Sequence, residues 1–161
     1  TKDTESSFKM LSKLLAKNGM ISIYVYRKKG PLREFADDHI RESTIQMTEK
    51  QCIEFSKSMA LLGKNLSRLK KKITITENIP LLKIKAGTYD IQRFLYWNFL
   101  KCWWSPDVPF DQSVATNYDW YFPKFAYRHS EKEVRKWFKD VKLKIVHFNE
   151  IESGFSVNGK K

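Results

Sequence analysis

The most unusual set of reactive side chains in this sequence is a carboxylate among aromatic residues with a histidine close behind. Asp119 lies in the stretch NYDWYFP (117–123), which we predict to be a loop ending at Pro123, and His129 follows shortly before a predicted helix. Burial and mutual charge can tune such groups toward neutral pKa values, so Asp119 and His129 could act as an acid–base pair. A structural role is equally compatible: Asp119 would brace the loop and His129 would flank the helix.

Aromatic residues are concentrated between Tyr89 and Trp104 and could form the wall of a substrate pocket. We predict a buried or lid-like helix there. Such clusters more often belong to the core, but pockets are lined by the same residue types, so both roles stay open.

The charge balance favours an anionic partner. The 161 residues include 30 Lys and Arg against 18 Asp and Glu, a formal net charge of +12. A phosphorylated or nucleotide-linked substrate would match this charge as well as RNA would. The basic run 64–72 could neutralise phosphates, but no aromatic residues alternate with it. A solvated helix end is therefore the favoured interpretation, and a nucleic-acid partner is possible but not favoured.

Composition and motifs exclude several classes of protein. Apolar residues make up 42% of the chain, which argues against disorder, and no apolar run approaches the ~18 residues of a membrane span. Cys52 and Cys102 lack the spacing of a zinc site or a disulfide framework, and no targeting segment is visible, so we expect a reduced, cytoplasmic protein. The six glycines are scattered, and no Gly-rich phosphate loop, GxSxG, HExxH or Walker pattern occurs.

The elements that must position these residues predict an α/β chain. Phe8, Leu11 and Leu15 mark one face of a helix that ends near Asn18-Gly19. The run 20–26, MISIYVY, is typical of a strand buried on both faces, as in a parallel sheet covered by helices.

The middle of the chain, from about 31 to 122, is predicted to be mainly helical. Pro31 suits the first turn of a helix whose predicted apolar face carries Leu32, Phe35, Ala36 and Ile40. Its predicted solvent face carries Arg33, Glu34, Asp37, Asp38 and Arg41. Thr48 and Gln51 form a capping box that opens a longer helix ending near Leu69, and residues 73–87 are less periodic.

The C-terminal part, 130–161, is predicted to be a closing helix and an antiparallel hairpin. Ser130 and Glu133 form a second capping box, followed by apolar residues at helical spacing (Val134, Trp137, Phe138 and Val141). The runs 143–148 and 155–157 are predicted strands on either side of a turn at 152–154.

Three stretches together resemble the C-terminal portion of a class I S-adenosylmethionine-dependent methyltransferase. FKMLSKLLAKNGMISIYVYR (8–27) is similar to the passage from a helix through a glycine turn into strand five of that family. KKGPLREFADDHIR (28–41) resembles the continuation in a bacterial branch with a helical insertion after strand five. DWYFPKFAYRHSEKEVRKWF (119–138) is similar to that branch's C-terminal passage.

The resemblance implies a partial Rossmann-like methyltransferase fold, with residues 1–161 forming one part of a domain, 31–122 a helical insertion or substrate lid, and 143–157 strands six and seven. The first four strands and the main binding motif for S-adenosylmethionine would lie upstream of Thr1. The chain begins without Met and enters a helix within a few residues, so we expect it to belong to something longer. The isolated chain would then be inactive.

The resemblance also implies roles for individual residues toward a small-molecule or anionic methyl acceptor. Asp119 and His129 would orient the acceptor or remove its proton, and Lys28 and Arg33 would meet an anionic group on it. Its walls would be Trp103, Trp120 and Tyr121. The alternatives are a basic stand-alone module that binds RNA or a partner protein, and a chain that pairs with a separate N-terminal half or with a second copy of itself.

Overall fold

A computed structural model describes residues 2–161 and divides the chain into two compact units. The sheet unit contains residues 2–28 and 125–161, and the helical unit contains residues 29–124. The molecule is a mixed α/β protein with antiparallel sheets. The helical unit is thus inserted into the chain of the sheet unit.

The sheet unit is built on a three-stranded sheet with the order β1-β5-β4. Its strands are β1 (Met20–Tyr26), β4 (Lys144–Glu150) and β5 (Gly154–Lys160). β5 is antiparallel to both neighbours, so β1 and β4 run parallel to each other. The predicted hairpin is confirmed, with a register shift between Ile145 and His147.

Two helices, α1 (Thr4–Lys13) and α6 (Glu131–Asp140), supply the apolar side chains that cover one face of this sheet. The predicted capping box of Ser130 and Glu133 is confirmed and fixes the start of α6. The buried core of the unit consists of Phe8, Val134, Trp137, Phe138, Leu143, Phe155 and Val157.

Strand β1 alternates between a packed and an exposed face. Ile21, Ile23 and Val25 pack against the core, whereas Met20, Tyr24 and Tyr26 are about half exposed. The prediction of a strand buried on both faces is therefore wrong within residues 2–161. The reason is that the core helices contact only the side of the sheet that carries the isoleucines and Val25.

The helical unit contains four helices and a small hairpin. The helices are α2 (Pro31–Thr44), α3 (Glu49–Arg68), α4 (Ile91–Asn98) and α5 (Phe110–Tyr121). The hairpin pairs β2 (Lys72–Ile75) with β3 (Gly87–Asp90), and a 3-10 turn at Pro80–Leu82 lies between them. The Thr48–Gln51 capping box at the start of α3 is confirmed. Buried residues of the unit's core include Cys52, Met59, Cys102, Trp120 and Tyr121.

Two predictions for the middle of the chain are wrong. The stretch around Asp119 is part of helix α5 and not a loop, because Pro109 stands at the N-cap, where its missing N–H costs no helical hydrogen bond. The aromatic segment 89–104 is helical only over Ile91–Asn98, since the backbone of Phe99 leaves the helical region. Within residues 2–161, no helix has both the length and the apolar character needed to cross a membrane.

Candidate functional site

A stripe of charged side chains on α2 is buried inside the helical unit. Arg33 and Asp37 are 1% and 0% exposed and Arg41 is 8% exposed, whereas Leu32 and Phe35 are 38% and 72% exposed. The prediction that these three charged residues lie on the solvent face of α2 is wrong. Charged groups can be buried when they are paired and hydrogen-bonded, and several of the bonds that hold this stripe reach residues far along the chain.

The Arg33 guanidinium is held on several sides. Its Nε donates to Asp37 Oδ2 at 2.9 Å, one helical turn along α2, and its Nη1 donates to the carbonyl oxygen of Tyr96. The same guanidinium lies 5.2 Å from the centroid of the Tyr96 ring and 5.8 Å from that of Trp120. This arrangement ties α2 to α4 and α5 at one buried point.

Arg41 and Thr44, further along α2, bind the C-terminal end of α5. Arg41 donates to the carbonyl oxygens of Trp120 and Pro123, and Thr44 Oγ1 donates to that of Tyr121 at 2.7 Å. The last carbonyls of a helix lack partners within the helix and carry its negative dipole end, so a guanidinium is well suited there. These bonds fix the positions of Trp120 and Tyr121.

Lys101 is buried beside this stripe with its ammonium against aromatic rings. Its Nζ lies 4.5 Å from the centroid of the Trp120 ring and 6.0 Å from that of Tyr96, and the residue is 8% exposed. Burial, together with the positive charge of Arg33, lowers the pKa of Lys101 to about 8, against the opposing effect of Asp37 and Asp119. An amine of this kind changes its charge close to neutral pH.

Neither of the two buried tyrosines next to Lys101 is suited to act as a base. Burial raises the pKa of Tyr96 to about 12 and raises that of Tyr121 further. The Tyr121 hydroxyl donates to the carbonyl oxygen of Lys101 at 2.9 Å. Both phenols therefore stay protonated at neutral pH.

The structure brings Arg33, Trp120 and Tyr121 together around Lys101. Trp103 also belongs to the helical unit. The side-chain amide of Asn117 holds its backbone, accepting from the N–H and donating to the C=O of Trp103, both at 2.9 Å. Asp119 lies on the exposed side of α5, and its charge acts on Lys101.

His129 and Lys28 belong to the sheet unit, so the proposed pair of Asp119 and His129 is divided between two compact units. His129 lies next to the carboxyl end of β1: its N–H donates to Tyr26 O at 2.8 Å, and its C=O accepts from the N–H of Lys28 at 2.9 Å. The two segments that lead into and out of the helical unit therefore run side by side as a parallel bridge.

The His129 imidazole is packed against α6 with its Nε2 atom unpartnered among the described residues. Its ring meets Trp137 edge to face, with the centroids 4.6 Å apart, and its Nε2 is buried and has no hydrogen-bond partner within residues 2–161. Burial lowers the pKa of His129, against a smaller opposing effect of Glu133. The imidazole is therefore neutral at neutral pH and able to accept a proton.

Lys28 is exposed, and its ammonium lies 3.1 Å from both carboxylate oxygens of Glu133. Burial acts to raise the pKa of Glu133, but hydrogen bonds from Ser130 and the charge of Lys28 outweigh it and lower the pKa to about 2. Lys28 thus supports the start of α6 in addition to any role toward an anionic ligand.

Asp37, Tyr96 and Lys101 were not among the site residues selected from the sequence. A signal for the first was present, since Arg33, Asp37 and Arg41 recur at a spacing of four on one helix face. Lys101 was visible only as a single cation next to the aromatic run that ends at Trp104. Neither pattern distinguishes a buried stripe from a solvated one.

Each of the six glycines lies against other atoms of the chain. A Cβ at any of the six glycines would meet atoms of this chain; at Gly63 it would meet the carbonyl oxygen of Cys102, and at Gly159 the ring of Phe138. At Gly63 and Gly159, glycine is favoured because a side chain would not fit beside these atoms. Within residues 2–161 no cluster of three His, Cys, Asp or Glu side chains is placed to hold a metal ion.

Comparisons with known proteins give no identification of the chain. No protein-family model, no curated protein and no solved structure matches it.

Proposed function

We propose that the chain is the C-terminal, substrate-facing part of an S-adenosylmethionine-dependent methyltransferase, completed by an upstream half that holds the cofactor. The observation that carries this proposal is the position of β1 at the edge of its sheet. β1 pairs with β5 on one side. On the other side no strand of residues 2–161 pairs with it, although His129 bonds to Tyr26 at its carboxyl end. The resemblance assigns β1 to strand five of a Rossmann-like sheet, and a free backbone edge is what four further strands would need to continue it.

The exposed face of β1 supports the same proposal. Met20, Tyr24 and Tyr26 are 57%, 48% and 45% exposed, on the face opposite the core helices. Parallel sheets are normally covered by helices on both faces. A second layer of helices from an upstream half would bury these side chains.

Roles on the acceptor side of the reaction are proposed for each unit separately. Ligands of open α/β sheets bind beyond the carboxyl ends of the strands, and the helical unit begins directly after the carboxyl end of β1. In the sheet unit, His129 would accept the proton that the methyl acceptor loses, because its Nε2 is unpartnered and the ring is neutral.

In the helical unit, Trp103, Trp120 and Tyr121 would wall the acceptor and Asp119 would orient it. Arg33 would act mainly by holding these walls, since its Nε and Nη1 already bind Asp37 and Tyr96. Lys28 would meet an anionic group of the acceptor by exchanging its contact with Glu133. The bound cofactor would supply the methyl group.

The proposal is tested by reading the coding sequence upstream of Thr1 and expressing the joined protein. We expect an in-frame segment with a Gly-rich loop after a strand, and we expect S-adenosylmethionine to bind the joined protein and not residues 1–161 alone. Isothermal titration calorimetry measures both. Absence of cofactor binding by the joined protein would contradict the proposal.

The proposed roles of the two site residues need the joined protein and its acceptor. His129→Ala should lower kcat by about 10²-fold or more if the imidazole removes a proton, and Asp119→Asn should raise KM. Full turnover in both variants would show that these roles are wrong.

A basic binding module for RNA or a partner protein is the second candidate function. It is favoured by a group of exposed lysines in the hairpin region of the helical unit: Lys70, Lys71, Lys72, Lys83 and Lys85. RNA binding through these lysines should weaken steeply with salt, because each neutralised phosphate releases counterions. Oligonucleotide affinity that does not change with salt concentration would argue against this candidate.

A further inference from the structure

We propose that the ammonium group of Lys101 anchors an oxyanion-binding site inside the helical unit, and that the ligand presents a carboxylate or phosphate group to it. The side chain is more than nine-tenths buried, and its Nζ is bounded by the rings of Trp120 and Tyr96. No hydrogen bond or ion pair to Nζ is present within residues 2–161, although an ammonium has three N–H donors to satisfy.

The neighbouring charges are already committed to other partners. The carboxylate of Asp37 pairs with Arg33 at 2.9 Å, and the Arg41 guanidinium donates hydrogen bonds to the carbonyl oxygens of Trp120 and Pro123. Lys101 is therefore the cation of this cluster that has no carboxylate in direct contact within residues 2–161, although Asp37 and Asp119 act on it at a distance. The ring faces attract its charge but accept none of its N–H groups in the way an oxygen does.

The groups that face Lys101 make an anion the matching ligand. Arg33 on α2 adds positive charge. The negative charge of Asp37 is paired with Arg33, and that of Asp119 acts from an exposed position. Tyr96 on α4 and Trp120 on α5 are neutral aromatic walls beside the ammonium. An oxyanion entering here would meet a desolvated ammonium and the field of Arg33, and a cation would be repelled.

Oxyanion binding by Lys101 stands apart from methyl transfer, because the chain can be tested without the cofactor. Only the identification of the oxyanion as part of the methyl acceptor rests on the proposed function. A joined protein that fails to bind S-adenosylmethionine would overturn the proposed function and leave this site untouched. A joined protein that binds S-adenosylmethionine but shows no oxyanion binding at Lys101 would overturn this site and leave the proposed function untouched.

The test is a titration of the full chain with inorganic phosphate, and separately with acetate, at constant ionic strength maintained with chloride. The Cε signal of Lys101 is followed by NMR and assigned through its loss in Lys101→Arg. We expect a saturable change in this signal and a rise in the pKa of Lys101 above about 8, since a bound oxyanion favours the ammonium form.

A matched variant separates this site from other lysines that lie over aromatic rings. Lys101→Met should reduce phosphate affinity at least tenfold, whereas Lys64→Met should not, although Lys64 Nζ also lies over a ring, 5.5 Å from the Phe110 centroid. If Lys101→Met fails to fold, the wild-type titration decides alone. Binding of either oxyanion at the Lys101 signal supports the site, and a signal that responds to neither overturns it.

Discussion

At the scale of single residues, the helical unit stands out for the charge that it buries. Arg33, Asp37, Arg41 and Lys101 are each at most 8% exposed. The three residues of α2 have partners: a carboxylate at 2.9 Å for Arg33, and backbone carbonyls for both arginines. Removing one member of such a pair leaves the other charge buried and uncompensated, which lowers the free energy of unfolding.

Asp37→Ala tests the buried pair. The substitution should lower the free energy of unfolding by about 3–5 kcal/mol, because it leaves the Arg33 guanidinium buried without its carboxylate. Urea unfolding followed by circular dichroism measures the change.

The control for Asp37→Ala is an exposed pair on a helix of the same unit. Lys57→Ala removes an ion pair of 2.9 Å with Glu54, in which both side chains are largely exposed, and should cost no more than about 0.5 kcal/mol. Equal effects of the two substitutions would show that burial does not determine the contribution of the Arg33–Asp37 pair.

The lowered pKa of Lys101 makes stability depend on pH in the alkaline range. The folded pKa is about 8 and the ordinary value is 10.5, so between these values the unfolded chain binds more protons than the folded chain. Stability therefore rises with pH across this window. Relative to Lys101→Met, the unfolding free energy of the wild type should increase by roughly 1–3 kcal/mol from pH 8 to pH 10.5.

The comparison with Lys101→Met cancels the effects of Tyr96 and Tyr121, whose raised pKa values act in the opposite direction above about pH 10 and are present in both proteins. Chemical denaturation at a series of pH values provides the data. A difference between the two proteins that stays constant over the window would mean that Lys101 is not desolvated in the folded state.

At the scale of elements, the two capping boxes differ in the charge of the side chain that accepts the hydrogen bond, so each can serve as a control for the other. The box of α6 uses the carboxylate of Glu133, which accepts from the N–H of Ser130 at 2.6 Å and pairs with Lys28. The box of α3 uses the neutral amide of Gln51, which accepts from the N–H of Thr48 at 2.9 Å. Only the first should respond to acid.

Ser130→Ala and Thr48→Ala should each cost about 1 kcal/mol near neutral pH, since both remove the oxygen that caps a helix. The pKa of Glu133 is lowered from 4.5 to about 2, so its contribution is present above 4.5 and is lost as the pH falls toward 2. The cost of Glu133→Gln should therefore shrink across this window.

The cost of Thr48→Ala should stay the same across the acid window, because Gln51 does not titrate. Thermal or urea unfolding between pH 2 and pH 6 measures both differences. A cost of Glu133→Gln that is independent of pH would contradict the role given to its carboxylate.

At the scale of the whole molecule, the free edge of β1 determines how the isolated chain behaves in solution. An edge strand with apolar side chains is a template for pairing with another chain, and β1 has both properties. We expect poor solubility in spite of the net charge of +12.

Met20→Lys should reduce this self-association, because a lysine on an edge strand opposes strand pairing between chains. Met10→Lys is the matched control: Met10 is 62% exposed and Met20 is 57% exposed, but Met10 lies on helix α1 and not on a strand. Light scattering at increasing protein concentration compares the variants. Monodisperse wild-type protein, or an equal improvement in both variants, would show that β1 does not drive association.

Much of the fold was predictable from local patterns in the sequence. The strand 20–26, the capped helices that begin after Thr48 and Ser130, and the C-terminal hairpin are all confirmed. Each has a signal within a few residues: a β-branched run, a capping box, or two apolar runs around a turn. Helix α5 was not predicted, because the three prolines close to it (Pro106, Pro109 and Pro123) are typical of a loop. Pro109 in fact stands only at the start of the helix.

The sequence by itself determined strand β1, the capped helices α3 and α6 and the C-terminal hairpin, and it marked Arg33, Trp120 and Tyr121 as residues of interest. Only the tertiary structure decided that the charged face of α2 points inward and that Lys101 lies beside it. The physical reason is that a charge is buried only where partners offset its desolvation. The partners of Arg33 and Arg41 include carbonyls 63 to 82 positions away, beyond the reach of any local pattern.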